Sequence, residues 1–239
     1  MSRLIGIGND YNWPFLDANK LASEMVKYKN NVTSIELALW GQWSVFKWGV
    51  AALSPYFKKF VKVIRAKNLT LLVSCTNDNQ GQGKYGDTLK PLSAYPKIVE
   101  GLMNLVLSVG PANLIVQPVS EGQTSYGIGV EKKYIATFNN AGFTTCCNTG
   151  ARPGKRLYGA DRFADHPTST KSAITGGALC VTDTGTILKE LQNGGINGSS
   201  VNAKAAGSYS KKVKGDLIIY TFTSVKTIQS EAMRAVGGA

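Results

Sequence analysis

The chain has 239 residues, with 27 Lys and Arg against 15 Asp and Glu, giving a formal net charge of +12 and a pI near 9.5. Hydrophobic residues make up 43%, enough for a packed core, and no apolar run reaches the roughly 18 residues a membrane span requires. The basic balance suits a polyanionic partner such as an anionic wall or an acidic polysaccharide, or serves solubility alone. No Arg/Lys-rich run interleaved with aromatics occurs, which argues against specific nucleic-acid reading.

Met1–Asp10 holds one Arg and passes directly into an apolar run, Leu4–Asp10, without a leader and small-residue cleavage site. Cytoplasmic synthesis is therefore expected. Asp17 is placed to cap a first helix that turns Ala18, Leu21, Ala22 and Met25 inward. A second β-branched run follows at Ser34–Trp40. Ser54 and Pro55 then read as the cap and first position of a helix. Phe57, Phe60, Val61 and Ile64 follow at i, i+3, i+4 and i+7, with Lys58, Lys59, Lys62 and Arg65 between them. Leu69–Asp78 is a third strand, followed by a long loop, Asn77–Lys90. Tyr95–Val109 is a helix through Ile98, Val99, Leu102, Met103 and Val106, stopped by Gly110-Pro111.

The fourth run is Leu114–Glu121, and Val130–Ala141 reads as a helix ended by Gly142. Phe143–Asn148 is the fifth run. The connection Thr149–Leu157 to the sixth, Tyr158–His166, is too short and too rich in Gly and Pro for a helix. Pro167–Gly177 is a poor helix as well. Ala178–Asp183 is the seventh run, and the loop Thr184–Gly198 after it holds a short helix, Thr186–Gln192. Ser199–Lys214 leads into the eighth run, Leu217–Phe222, and Ile228–Val236 closes the chain.

Eight short apolar runs, mostly alternating with helical stretches, imply a parallel sheet. In a chain of this length they match a single (β/α)8 barrel domain over residues 1–239, irregular around strands 5 to 7. Active sites of that barrel lie at the C-terminal ends of its strands. Here those ends carry Asp10, Trp40, Asp78, Glu121, Asn148, Asp165, His166 and Asp183.

Glu121 and Asp183 end strands 4 and 7, roughly opposite one another across the mouth. Two facing carboxylates are what glycosidic cleavage needs: one protonates the leaving oxygen, and the other attacks or activates water. Asp183 alternatively caps the short helix after strand 7. Asp165 is the second choice for the partner carboxylate. His166, the one histidine, is a candidate to orient a substrate hydroxyl, or else to be satisfied within a salt-linked cluster of Asp161, Arg162 and Asp165. Tyr11, Trp13, Trp40, Trp43 and Trp48 gather after the first two strands, where exposed rings could stack on sugars and buried ones would pack the core. Asp10, Asn77, Asn148 and Tyr220 complete the candidate substrate-binding set.

Cys75, Cys146, Cys147 and Cys180 lack metal-ligand spacing, so no metal and no cofactor are expected. They read as reduced core residues, with a Cys147–His166 pair left open. No Gly-Xaa-Ser-Xaa-Gly elbow is present, and no isolated strand-end Lys suggests a Schiff base.

This layout resembles the large clan of (β/α)8 glycoside hydrolases, in which an acid/base Glu ends strand 4 and a carboxylate nucleophile ends strand 7. The resemblance implies Glu121 as proton donor and Asp183 near the nucleophile position, where that clan usually has Glu. It also implies Tyr220 or Phe222 as the strand-8 aromatic, and Asp165-His166-Pro167 as a strand-6 segment such enzymes carry. The chain has Ser120 where the clan usually has Asn before its acid/base Glu, which puts retaining chemistry in question. A compact basic barrel of this kind is similar in style to bacteriophage wall hydrolases, which are virion-associated or released by lysis. The expected partner is a wall or surface polysaccharide. A barrel that binds without cleaving, as in a virion or receptor-binding component, stays open, as does a barrel enzyme of another class such as a phosphodiesterase.

Overall fold

The computed structural model describes residues 3–9, 13–39, 44–77, 94–120, 125–147, 158–163, 180–183, 207, 210–211, 215–220 and 228–237. All eight expected strands are present: β1 (Ile5–Gly8), β2 (Val32–Glu36), β3 (Thr70–Asn77), β4 (Leu114–Ser120), β5 (Thr144–Cys147), β6 (Arg162–Phe163), β7 (Cys180–Asp183) and β8 (Leu217–Tyr220). Every pairing is parallel. One sheet runs β2-β3-β4-β5-β6 and the other β1-β8-β7. Backbone bonds from Asn9 N to Ser34 O (2.8 Å) and from Asn31 N to Ile5 O (3.0 Å) join β1 to β2. The Thr33 hydroxyl adds a bond to Ile7 O at 2.7 Å. The strands therefore follow one another as 7-8-1-2-3-4-5-6, the cyclic order of a (β/α)8 barrel. Gly6 permits this contact, since a Cβ there would lie 1.8 Å from the carbonyl oxygen of Val32.

The helices are α1 (Ala18–Lys27), a short α2 (Val45–Trp48), α3 (Val50–Ala66), α4 (Tyr95–Ser108), α5 (Ser125–Asn140) and α6 (Ser230–Gly237). Asp17 caps α1 as expected, its Oδ1 accepting from the amides of Asn19 (2.9 Å) and Lys20 (3.2 Å). Ala18, Leu21, Ala22 and Met25 are buried. In α3 the stripe Phe57, Phe60, Val61 and Ile64 is buried, and Lys58, Lys59 and Lys62 are exposed. α3 begins at Val50, four residues before the expected Ser54 cap, and takes Pro55 inside its second turn. The cost is one backbone bond, because Pro55 has no N–H to give the carbonyl four residues earlier. α5 likewise starts at Ser125 rather than Val130 and is followed by Gly142 at φ 81°.

The second strand lies two residues earlier than Ser34–Trp40 implies. Leu37 still bonds to Ser74 O, but Leu39 turns to φ 45°, and the strand cannot continue through it. β6 occupies only the middle of Tyr158–His166, because Tyr158 (φ 53°) and Gly159 (φ 77°) form a turn before it. The expected helices Thr186–Gln192 and most of Ser199–Lys214 lie outside the described residues.

Two expectations follow. Phe60 is buried against the Trp13 ring at 5.5 Å between centroids, so Phe60→Ala should lower the unfolding free energy by about 3–5 kcal/mol in urea titration. Asp216 accepts from the Leu4 amide through Oδ1 and from Arg162 through Oδ2. Asp216→Ala should cost about 1–3 kcal/mol. Asp216→Asn, which keeps the acceptor for Leu4, should cost less; equal losses would mean that the charge pairing with Arg162, rather than the bond to Leu4, carries the effect.

Candidate functional site

Side chains of adjacent strand residues alternate between the helix layer and the space enclosed by the strands. Leu4, Val32, Leu72, Ile115, Cys146 and Ile218 come from six different segments yet pack as one cluster, separate from the core beneath the helices. They form an apolar plug toward the N-terminal ends of the strands. On β2, β3 and β4 the next inward positions are polar, Ser34 and Glu36 on β2, Ser74 and Thr76 on β3, and Gln117 on β4, with the apolar Val119 above Gln117. All are buried. Glu36, Ser74 and Gln117 occupy one register level across three neighbouring strands. The Ser74 hydroxyl donates to Gln117 Oε1 at 2.8 Å. That bond turns the Gln117 amide nitrogen away, and neither it nor the Ser34 hydroxyl has a hydrogen-bond partner among the described residues. An enclosed space that is apolar at one end and polar toward the other is open to substrate chemistry only at its polar end.

The register fixes where several expected residues lie. Asp183, Tyr220 and Gly8 are paired across β7, β8 and β1 and are the last residues of those strands. Asn77 and Ser120 are paired likewise at the ends of β3 and β4, with Asn77 buried. Thus the strand ends form a common rim, as the sequence implies. Glu121 is the position immediately after β4, and Asn148 the one after β5. Asp10, Trp40, Glu121, Asn148, Asp165 and His166 lie outside the described residues.

Trp13 is not part of an exposed platform. It sits in a short 3-10 turn, Trp13–Phe15, and is only 1% exposed. Its indole N–H donates to Glu36 O at 3.0 Å, and its ring meets Phe57 and Phe60 edge-on at 6.4 and 5.5 Å. A ring so enclosed has no face to offer a sugar. Trp48 is 59% exposed, but on the outer helix α2. Of the expected cluster of Asp161, Arg162 and Asp165 with His166, only Asp161 and Arg162 lie among the described residues. Asp161 accepts from the Thr145 amide at 3.0 Å, while Arg162 pairs with Asp216.

Ser34, Glu36, Ser74 and Gln117 are the residues that strand-end reasoning passes over. Their signal is alternation within the strand: in Val32-Thr33-Ser34-Ile35-Glu36, positions 32, 34 and 36 share a face, and the face turns polar upward. Cys75, Cys146 and Cys147 are buried and free. Only Cys146 faces the inner plug; Cys75 packs under the helices, and Cys147 packs with Ile135 and Ala160. Burial pushes the Cys75 and Cys146 thiols well above their ordinary range, so neither is a nucleophile. Among the described residues no group of three or more His, Cys, Asp or Glu gathers to hold a metal.

No family model matches the chain, and no curated protein matches it. Solved structures do. The endo-beta-1,4-mannanase of Thermotoga petrophila is similar over 99% of this chain and 76% of its own, at 10% identity and a TM-score of 0.57. The family 5 xyloglucanase of Paenibacillus pabuli is similar over 97% of this chain and 96% of its own, at 11% identity and a TM-score of 0.56. A glycoside hydrolase family 5 enzyme of Prevotella bryantii, in complex with a xyloglucan tetradecasaccharide, covers 98% and 95% at 13% identity and a TM-score of 0.56. At such identities the likeness shows the fold: the chain shares the (β/α)8 architecture of these barrels.

The buried polar layer makes an asymmetric prediction. Ser74→Ala strips Gln117 Oε1 of its donor and should cost about 1–3 kcal/mol. Ser34→Ala removes a hydroxyl with no partner among the described residues and should leave the unfolding midpoint unchanged or raised. Cys75, Cys146 and Cys147 should resist a thiol reagent at neutral pH until denaturant is added, as read by mass mapping of the labelled peptides.

Proposed function

We propose that this chain is a glycoside-hydrolase-like barrel that engages and cleaves a bacterial wall or surface polysaccharide at the C-terminal ends of its strands. The observation that supports the reading is the position of Asp183, which ends β7 beside Tyr220 of β8. Glu121 follows directly on the last residue of β4. Both positions are strand exits, where barrel enzymes carry their chemistry. Between them lie the inward polar residues of β2, β3 and β4, which could bind hydroxyls deep in the site.

In this mechanism Glu121 gives its proton to the glycosidic oxygen as the bond from that oxygen to the anomeric carbon breaks. Asp183 either attacks the anomeric carbon or takes a proton from the water that does. Asp165 stands second for that role. Substrate contacts would come from the strand-end residues Asp10, Asn77, Asn148, His166 and Tyr220, and from Trp40 beyond β2. A general acid must hold its proton near the working pH, which requires a setting that disfavours the charged carboxylate.

Reducing-end release from a panel of wall and capsular polysaccharides tests the reading. Glu121→Gln keeps the shape and removes the transferable proton, so it should abolish turnover while leaving binding nearly intact. Asp183→Asn should do the same. If Asp165→Asn is inactive and Asp183→Asn is active, the second carboxylate is on the sixth strand. A wild-type protein that binds one of these glycans and cleaves none is a binding barrel instead. The +12 charge gives a further expectation. If it serves to engage an anionic wall, retention on isolated wall should fall as salt rises from about 0.05 to about 0.5 M, because the screening length shortens over that range. Unchanged retention would leave the charge a role in solubility alone.

A further inference from the structure

A cavity of about 340 Å³ lies outside the strand enclosure, between the 3-10 turn after β1, the start of α1 and the outer side of α3. Its lining is mixed, with Trp13 and Phe60 beneath it almost wholly buried. Its rim carries Tyr56, Asp17, Asn19 and Lys59. Tyr56 is 57% exposed, although its helix buries every other aromatic ring it holds. The core gains little from that ring, and it stands where it can be a wall for a ligand. The Asp17 carboxylate is held in place by the two amides it caps through Oδ1, and its second oxygen has no hydrogen-bond partner among the described residues. Asn19 and Lys59 are exposed, and no hydrogen bond or ion pair of their side chains exists among the described residues.

Small-molecule sites are concave and mostly apolar, with a few placed polar groups, and this cavity lies near the lower end of their size range of roughly 300–1,000 Å³. The rim offers one carboxylate, one amide and one ammonium, so its charges cancel. It suits hydroxyl groups rather than an anion. The exposed phenol ring of Tyr56 suits the C–H face of a pyranose. We infer that this cavity is an accessory saccharide site that takes one uncharged sugar ring of a glycan through stacking on Tyr56 and hydroxyl contacts to Asp17, Asn19 and Lys59. The inference does not need the strand-end site to cleave anything: a binding barrel and a hydrolase could equally hold glycan here.

The test is a titration of the full chain, as Glu121→Gln so that no probe is consumed, with chitotetraose and with cellotetraose, followed by amide NMR. One of the two probes should shift the signals of Asn19, Tyr56 and Lys59 at up to about 10 mM sugar, and Tyr56→Ala should weaken that response about ten-fold. The Asn19 side-chain amide should move with them. The proposal is overturned if neither probe moves these signals, or if they move equally in Tyr56→Ala. If Tyr56→Ala fails to fold, Asn19→Ala, at an exposed position of α1, replaces it under the same criteria. Shifts confined to the strand ends would count against the accessory site and leave the strand-end reading intact. Shifts confined to α1 and α3 would do the reverse.

Discussion

The carboxylate of Asp216 is the joint on which the barrel order depends. It precedes β8, takes the Leu4 amide at the entry to β1 through one oxygen, and takes Arg162 of β6 through the other. Three strands that are distant in sequence are thereby tied at their N-terminal ends. Neither partner is fully buried, with about a fifth of each side chain exposed, so the pair avoids most of the desolvation cost of an interior ion pair. What it supplies is position. β6 has two residues, and its ladder with β5 is only that long; the charged anchor to the residue before β8 adds to it.

The same end of the molecule is held by further bonds from side chains to backbone. Arg3 donates to Gly215 and Ser210 carbonyls, and Asn31 links Arg3 O to the Ile5 amide. Asn30 bonds to Met233 O in α6, and Arg65 bonds to the carbonyls of Val109, Gly110 and Ala112 beyond α4. Asn30 and Asn31 sit in the loop from α1 to β2, Arg65 in the last turn of α3 and Arg3 before β1. The long arginine side chains satisfy carbonyls left over at helix ends, where a cation is also favoured by the helix dipole. Three of the basic residues behind the +12 charge are therefore spent on structure, while the lysines of α3 face solvent. Surface attraction to a polyanion falls to exposed lysines such as these and Lys20, Lys97, Lys132 and Lys133.

Much of this was legible in the sequence, and the failures have causes. Eight β-branched runs at regular spacing located eight strands, because a strand buried on both faces is apolar nearly throughout. Helix ends were less legible. Ser54-Pro55 is a sound start signal in local terms, yet α3 begins at Val50 because Leu53 is buried and rewards an extra turn of helix. Tertiary packing outweighed a local preference worth about a kcal/mol or so. Trp13 failed for a related reason: a Trp near a strand exit reads as a platform only until the helices α1 and α3 close over it. The second strand starts two residues before the expected run and stops at Glu36 rather than Trp40, but a shift of two keeps the same face inward; Glu36 escaped notice because it lies inside the expected run and not at its end, where the strand-end rule looks.

That last point bears on how the site is built. A barrel interior must be filled by side chains, and the apolar plug of Leu4, Val32, Leu72, Ile115, Cys146 and Ile218 does this at one end. If stability alone shaped the chain, the next layer would be apolar as well, since a buried amide nitrogen without a partner costs about 1–3 kcal/mol. Instead the chain keeps Gln117 there, locked by Ser74 so that its donor is directed elsewhere, with Ser34 nearby on β2. Natural sequences tolerate such a conflict mainly where function requires it. Of the buried polar groups without a partner among the described residues, those of Ser34 and Gln117 lie above the plug, while Asn30 Oδ1 lies at the entry to β2 and the Tyr95 hydroxyl at the start of α4. On β2, β3 and β4, inside the strands and above the plug, stability alone therefore does not account for the sequence.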